Sequence, residues 1–203
     1  MALAAIGVAL ATQANAATLT FNFQENGSNL ALGPTSTFTE SGFSLTASGF
    51  LTSGATTNLY AKSLGGDEIG LGTTSDPSGQ HEIVTTNFIQ LTLPTTPSST
   101  FNMVLLASVQ NNEQGKVFFT HTAGKIDASA TLIGTINNAD GSIPIPAADQ
   151  TGGFIDITAG AANVLLHGAQ ITTAVPEPSS LAFLALGAGG ILTLHRRRKA
   201  ASK

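Results

Sequence analysis

Apolar and polar side chains alternate along most of the chain between residues 17 and 174, the period-2 signature of half-buried strands. Leu19, Phe21 and Phe23 fall on one face, with Thr18, Thr20 and Asn22 on the other. Ile89, Leu91 and Leu93 alternate with Phe88, Gln90 and Thr92. The longest stripe is Phe101, Met103, Leu105, Ala107 and Val109. Val104 and Leu106 between them are apolar as well, which predicts a central strand. Further strands are predicted at Thr37–Glu40, Phe43–Phe50, Asn58–Lys62, His81–Val84, Val117–His121, Thr131–Thr135, Phe154–Thr158 and Asn163–Ile171. Asn26-Gly27, Gly65-Gly66, Asp76-Pro77-Ser78-Gly79 and Asp140-Gly141 supply the turn chemistry between them. No stretch of this region carries a capped helical period, and no interval repeats as in a solenoid. The body, residues 17–174, is therefore expected to be all-β: an antiparallel β-sandwich of jelly-roll type.

Both flanks break the pattern. Residues 1–16 are almost wholly Ala, Leu, Ile, Val and Gly and end in Ala14-Asn15-Ala16, followed by Ala17. An apolar stretch closed by small residues at an A-x-A site predicts a secretory signal helix cleaved after Ala16. No Lys or Arg follows Met1, so either the start lies upstream or the signal is weak. At the other flank, Pro176 and Pro178 stop the last strand. The apolar run of residues 181–194 would make a helix roughly 21 Å long, short of the ~30 Å hydrocarbon core. On length alone the alternatives for that segment are an ordinary anchor or a buried hairpin helix.

Charge separates the same three parts. The chain has 203 residues and a formal charge of −4, yet Arg196, Arg197, Arg198, Lys199 and Lys203 supply five of its eight basic residues. The body holds eleven acids and three lysines, a net −8, and no arginine. That excludes a nucleic-acid surface, which needs clustered Lys and Arg. The absence of cysteine excludes disulfides, thiolate metal sites and cysteine nucleophiles.

Residues 175–203 place Pro176-Glu177-Pro178, a short Gly-containing apolar helix and Arg196-Arg197-Arg198 in order. This trio resembles the PEP-CTERM sorting signal, also labelled an ice-binding protein C-terminal domain. The resemblance implies recognition by exosortase, a transpeptidase of the bacterial inner membrane. It further implies transient anchoring by residues 181–194, cutting near Pro176-Glu177-Pro178, and release to the cell surface or extracellular polysaccharide. In that family pattern Pro176, Glu177 and Pro178 are the recognition element, and Arg196, Arg197 and Arg198 end the transfer.

The body offers little sign of catalysis. No G-x-S-x-G elbow occurs, His81-Glu82 lacks the second histidine of H-E-x-x-H, and Gly70-Leu71-Gly72 lacks the third glycine of a dinucleotide loop. A non-enzymatic protein is expected, with no cofactor unless it is a structural calcium. Asp67, Glu68, Asp76 and Glu82 form the densest acidic stretch, within a Gly-rich loop of the kind calcium uses. The alternative is a solvated loop in which Asp76 caps a turn through its side chain. Tyr60, the one tyrosine in a chain without tryptophan, is the candidate sugar-stacking residue. Thr35-Ser36-Thr37-Phe38-Thr39 is a single run of hydroxyls without a repeat. These features predict an exported structural or adhesive module of the cell surface or extracellular matrix. A calcium-stabilised carbohydrate-binding module is the alternative, and a secreted hydrolase comes third.

Overall fold

A computed structural model describes residues 14–23, 29–64, 68–93 and 99–176. The signal segment before Ala14, the apolar run 181–194, Glu177, Pro178, Arg196, Arg197, Arg198 and Asp67 lie outside the described residues. Ala14, Ala16 and Ala17 open the first strand, and Pro176 closes the last. The chain divides into a compact unit, Thr18–Thr173, and a second unit of Met1–Ala17 with Ala174–Lys203. Among the described residues no helix is long and apolar enough to cross a membrane.

Fifteen strands and one 3-10 turn, Ala147–Asp149, make up the regular structure of the described residues. The strands are β1 (Ala14–Asn22), β2 (Leu30–Gly33), β3 (Thr35–Glu40), β4 (Phe43–Leu51), β5 (Thr56–Thr57) and β6 (Leu59–Ser63). They continue with β7 (Ile69–Thr73), β8 (Ile83–Val84), β9 (Asn87–Thr92), β10 (Ser99–Ala107) and β11 (Gln114–Thr120). The last four are β12 (Thr131–Asn137), β13 (Gly141–Pro144), β14 (Phe154–Ala161) and β15 (Asn163–Pro176). They form two antiparallel sheets, as the alternation predicts. The first runs β13-β10-β15-β7-β6-β2, with β1 and β8 also on β15; the second runs β12-β11-β14-β9-β4-β3, with β5 on β4.

Both sheets feed one hydrophobic cluster. Phe101, Val104, Leu106, Val164, Leu166 and Leu71 come from the first sheet, and Leu45, Ala47, Ile89, Leu91, Val117, Ile155 and Ile157 from the second. Phe23, one residue past β1, meets Phe38 of β3 edge-on at 4.7 Å between ring centroids. Each fully buried Leu, Ile or Phe contributes about 1.5–3 kcal/mol, and this shared layer is the main source of stability.

The differences from the sequence reading have local causes. In β10 the large buried apolar residues are Phe101, Val104 and Leu106, so the stripe changes parity. The pairing with β15 slips between Phe101 and Met103, where one extra residue moves the following side chains to the opposite face. The strand lies one place in from the edge, between β13 and β15. The strand expected at His81–Val84 shrinks to Ile83–Val84, because His81 adopts φ +62° and cannot extend the ladder. Ile69–Thr73, expected as acidic loop, is strand β7.

Candidate functional site

The acidic stretch is organised by the outer face of the first sheet. Leu59 and Leu71 point into the core, so Tyr60 and Lys62 of β6 point the other way, opposite Gly72 and Gly70 of β7. Gly72 adds no side chain to that face. A Cβ at Gly72 would stand 1.9 Å from the carbonyl oxygen of His81 and 2.9 Å from the Cα of Glu82. The chain after β7 therefore folds back, lays His81 and Glu82 directly over β7, and sets the Glu82 carboxyl beside Lys62.

Asp76 holds that return in place. Its Oδ1 accepts the Ser78 amide at 2.8 Å, and its Oδ2 accepts the Ser78 hydroxyl at 2.7 Å and the Glu82 amide at 3.4 Å. Gly79, at φ +75°, completes the turn by donating its amide to the Asp76 carbonyl at 3.2 Å. Burial opposes the charge on Asp76, but these donors outweigh it and hold the carboxyl below its ordinary value. Asp76 caps a turn through its side chain.

Lys62 is the hub. It is 3% exposed, and its Nζ donates to Glu82 Oε1 at 2.6 Å and pairs with Glu68 Oε2. Ser108, in the left-handed region at φ +55° just beyond β10, lies 3.3 Å from the Oε1 atoms of both glutamates. Asn163, at the start of β15, donates to Glu82 Oε2. Glu82 is 1% exposed, and both its oxygens are occupied by protein donors. Burial works against the ammonium of Lys62, but its bonds to Glu68 and Glu82 hold its pKa above the ordinary lysine value. The Lys62 contact pulls Glu68 below the usual range. Burial pushes Glu82 up, and its pairing with Lys62 offsets this only in part.

Two open clefts flank the hub. One, of about 480 Å³, is lined by Glu68, Asp76, Gln80, Glu82, Glu113 and Asn163 among others. The second, of about 410 Å³, is lined by Asn29, Tyr60, Lys62, Leu64, Glu68, Gln80 and His81. Tyr60 stacks on His81 at 4.0 Å between centroids and 28° between planes, and His81 Nδ1 is buried without a hydrogen-bond partner.

Of the four residues considered for calcium, Glu68 and Glu82 converge on Lys62, Asp76 turns its oxygens to its own loop, and Asp67 is outside the described residues. Among the described residues no group of three His, Asp or Glu side chains is placed to hold a metal ion. Ser108 and Asn163 complete the hub and were not legible as partners. The one available signal was Lys62 itself, a lysine on an apolar strand in a body with only three. The other two histidines among the described residues are engaged elsewhere: His121 Nδ1 lies 3.2 Å from the Gly152 carbonyl, and His167 Nδ1 lies 3.2 Å from that of Ile69.

A second surface is built from hydroxyls. Thr35, Thr37 and Thr39 of β3 stand opposite Ser48, Thr46 and Ser44 of β4, on the face away from Phe38 and Leu45. Thr35 and Ser48 are bonded at 3.0 Å, and Thr37 and Thr46 at 3.3 Å. The second rank comes from strand register, so no sequence repeat announces it.

No curated protein and no solved structure matches the chain. Residues 174–199 match the family model of the PEP-CTERM protein-sorting motif, and they contain Pro176-Glu177-Pro178, the apolar run and the arginine cluster in that order. The chain thus carries a PEP-CTERM sorting motif, which marks it as an exported protein that exosortase sorts after transient anchoring in the membrane.

Proposed function

We propose that the body is a non-catalytic β-sandwich that serves as a structural or adhesive part of the cell surface or extracellular matrix, delivered there after cleavage of a signal peptide behind Ala16. The observation that carries this reading is the Lys62 hub. Where a loop calcium would sit between Glu68 and Glu82, the chain supplies its own cation. Buried carboxylates need a partner charge, and here it is internal and permanent. The module then keeps its shape in media of any divalent-cation content. The paired Thr and Ser rows of β3 and β4 offer an uncharged hydrogen-bonding face, suited to neutral polysaccharide that an acidic body does not repel.

The Tyr60–His81 stack beside the 410 Å³ cleft favours a second reading, a carbohydrate-binding module. Cosedimentation of the exported protein with extracellular polysaccharide tests both. The structural or adhesive reading predicts retention that is indifferent to chelator and weakened by Thr37→Val with Thr46→Val. Retention abolished by Tyr60→Ala and untouched at β3 and β4 would replace it with the second reading. Retention that requires calcium would overturn the role given to Lys62.

A further inference from the structure

Asp156 is a further buried charge-bearing group, used neither by the Lys62 hub nor by the Asp76 turn. It lies on β14 between Ile155 and Ile157, whose side chains enter the shared core, so its carboxyl faces outward from the second sheet. An outward residue should meet water. Asp156 is 0% exposed because the β11–β12 loop, residues 121–130, folds back over that face.

Gln90, its cross-strand partner on β9, joins the carboxyl to this roof. Gln90 Nε2 donates to Asp156 Oδ1 at 2.8 Å and lies 3.4 Å from the Thr122 carbonyl. Gln90 Oε1 accepts the Gly124 amide at 3.1 Å. Thr120, the last residue of β11, lies 2.7 Å from Asp156 Oδ2. Gly124, at φ +71°, rests on the ring of Phe50, which itself stacks on Phe88 at 5.4 Å. A side chain at 124 would collide with Phe50, so the glycine lets the roof close.

Among the described residues no cation pairs with this carboxyl. The segments of β4, β9 and β12 that pack beside it carry no charged side chain, and β14 carries only Asp156 itself. Lys116 of β11 shares the face one residue row beyond Phe118. In the loop, His121 lies against the Gly152 carbonyl, Asp127 is bonded to Thr122 and Ser129, and Lys125 is exposed. Among the described residues the ion pairs are those of Lys62.

We propose that the β11–β12 loop is a proton-controlled flap. It lies closed over the Phe50–Phe88 stack while Asp156 is protonated, and it lifts to admit water when that carboxyl ionises. In the protonated form Asp156 donates from Oδ2 to the Thr120 hydroxyl and accepts from Gln90, so both contacts are kept without a buried charge. In the ionised form two neutral donors remain, too few to replace the water a carboxylate loses on burial. Burial raises the Asp156 pKa to about 7, against the pull of Thr120 and Gln90. A carboxyl whose pKa is higher closed than open binds its proton preferentially in the closed form. Closure is then unaffected below about pH 4, weakens about tenfold per unit above it, and levels off near 7 after about a thousandfold loss.

Hydrogen exchange at the Gly124 amide, normalised for intrinsic rate and followed from pH 5 to 8, tests this in the full chain. Protection at Gly124 should fall by about fiftyfold between pH 5 and 7, while the Ile89 and Leu91 amides of β9 hold theirs. Asp156→Asn keeps the contacts to Gln90 and Thr120, cannot ionise, and should give a flat profile at Gly124. Equal losses at Gly124 and Leu91 would show a global effect and overturn the flap, as would a wild-type profile parallel to that of Asp156→Asn. Should the variant fold poorly, the carbon shift of the Asp156 carboxyl decides: a titration near pH 4 in the native protein refutes the proposal.

Discussion

Replacing Lys62 with methionine keeps the aliphatic stem and removes the ammonium. Glu82 is then left 1% exposed, with Ser108 and Asn163 as its remaining donors. Breaking a buried pair by deleting one member costs about 3–5 kcal/mol. The structure narrows this figure, because Glu82 has an escape: it can take up a proton. From its ordinary value of 4.5, protonation at pH 7 costs about 3.4 kcal/mol, at 1.36 kcal/mol per unit. Glu68, with its side chain 32% exposed, can turn to water and adds little. A loss of about 3 kcal/mol at pH 7 follows, which for a unit of this size lowers Tm by roughly 6–12 °C. At pH 5 the protonation cost falls to about 0.7 kcal/mol, so most of the difference should vanish. Urea unfolding of wild type and Lys62→Met at the two pH values measures it. Lys62→Met with Glu82→Gln should recover most of the loss, since the stranded charge is gone. An equal loss at pH 5 and 7, or less than about 1 kcal/mol at both, would refute the view of Lys62 as the counter-ion of a buried carboxylate.

At the alkaline end the sign reverses its position. Lys62 has a folded pKa above 10.5, so its contribution is complete below that value and is lost as pH rises through the raised one. The stability gap between wild type and Lys62→Met, measured by urea unfolding, should close above that range. Gly72→Ala would drive a Cβ to 1.9 Å from the His81 carbonyl and displace the backbone that carries Glu82. Its Tm should fall by more than that of Gly79→Ala, where φ is +75° with open space around the Cβ and only the left-handed penalty of about 1–2 kcal/mol applies.

How much of this was legible in the sequence depended on the range of the interaction. β1 and β9 follow their alternation because a strand face is a local property: Phe21, Phe23, Ile89 and Leu91 are buried as the period requires. The Asp76-Pro77-Ser78-Gly79 turn is equally local. The parity change in β10 depends on its partner, since a bulge at Asn102 exists only in the pairing with β15. β2, Leu-Ala-Leu-Gly, has neither alternation nor β-branched residues, and it forms because β6 offers it an edge. The Lys62 hub joins residues 20 and 26 positions apart in contacts that no short pattern encodes. Gly70 and Gly72 were weighed only as a nucleotide loop, yet close backbone passage is the use the chain makes of Gly72. Alternation places Gln90 and Asp156 on the outer face of the second sheet, and it cannot register a loop that roofs that face.

The sorting motif is the part of the account that most directly fixes where the protein acts, and the intact mass of the protein recovered from the cell surface tests it. In cells with exosortase the account predicts a chain that ends next to Pro176-Glu177-Pro178 and has lost Arg196, Arg197 and Arg198, whereas cells lacking exosortase retain them. A surface form that still carries the arginine cluster in both backgrounds would contradict it.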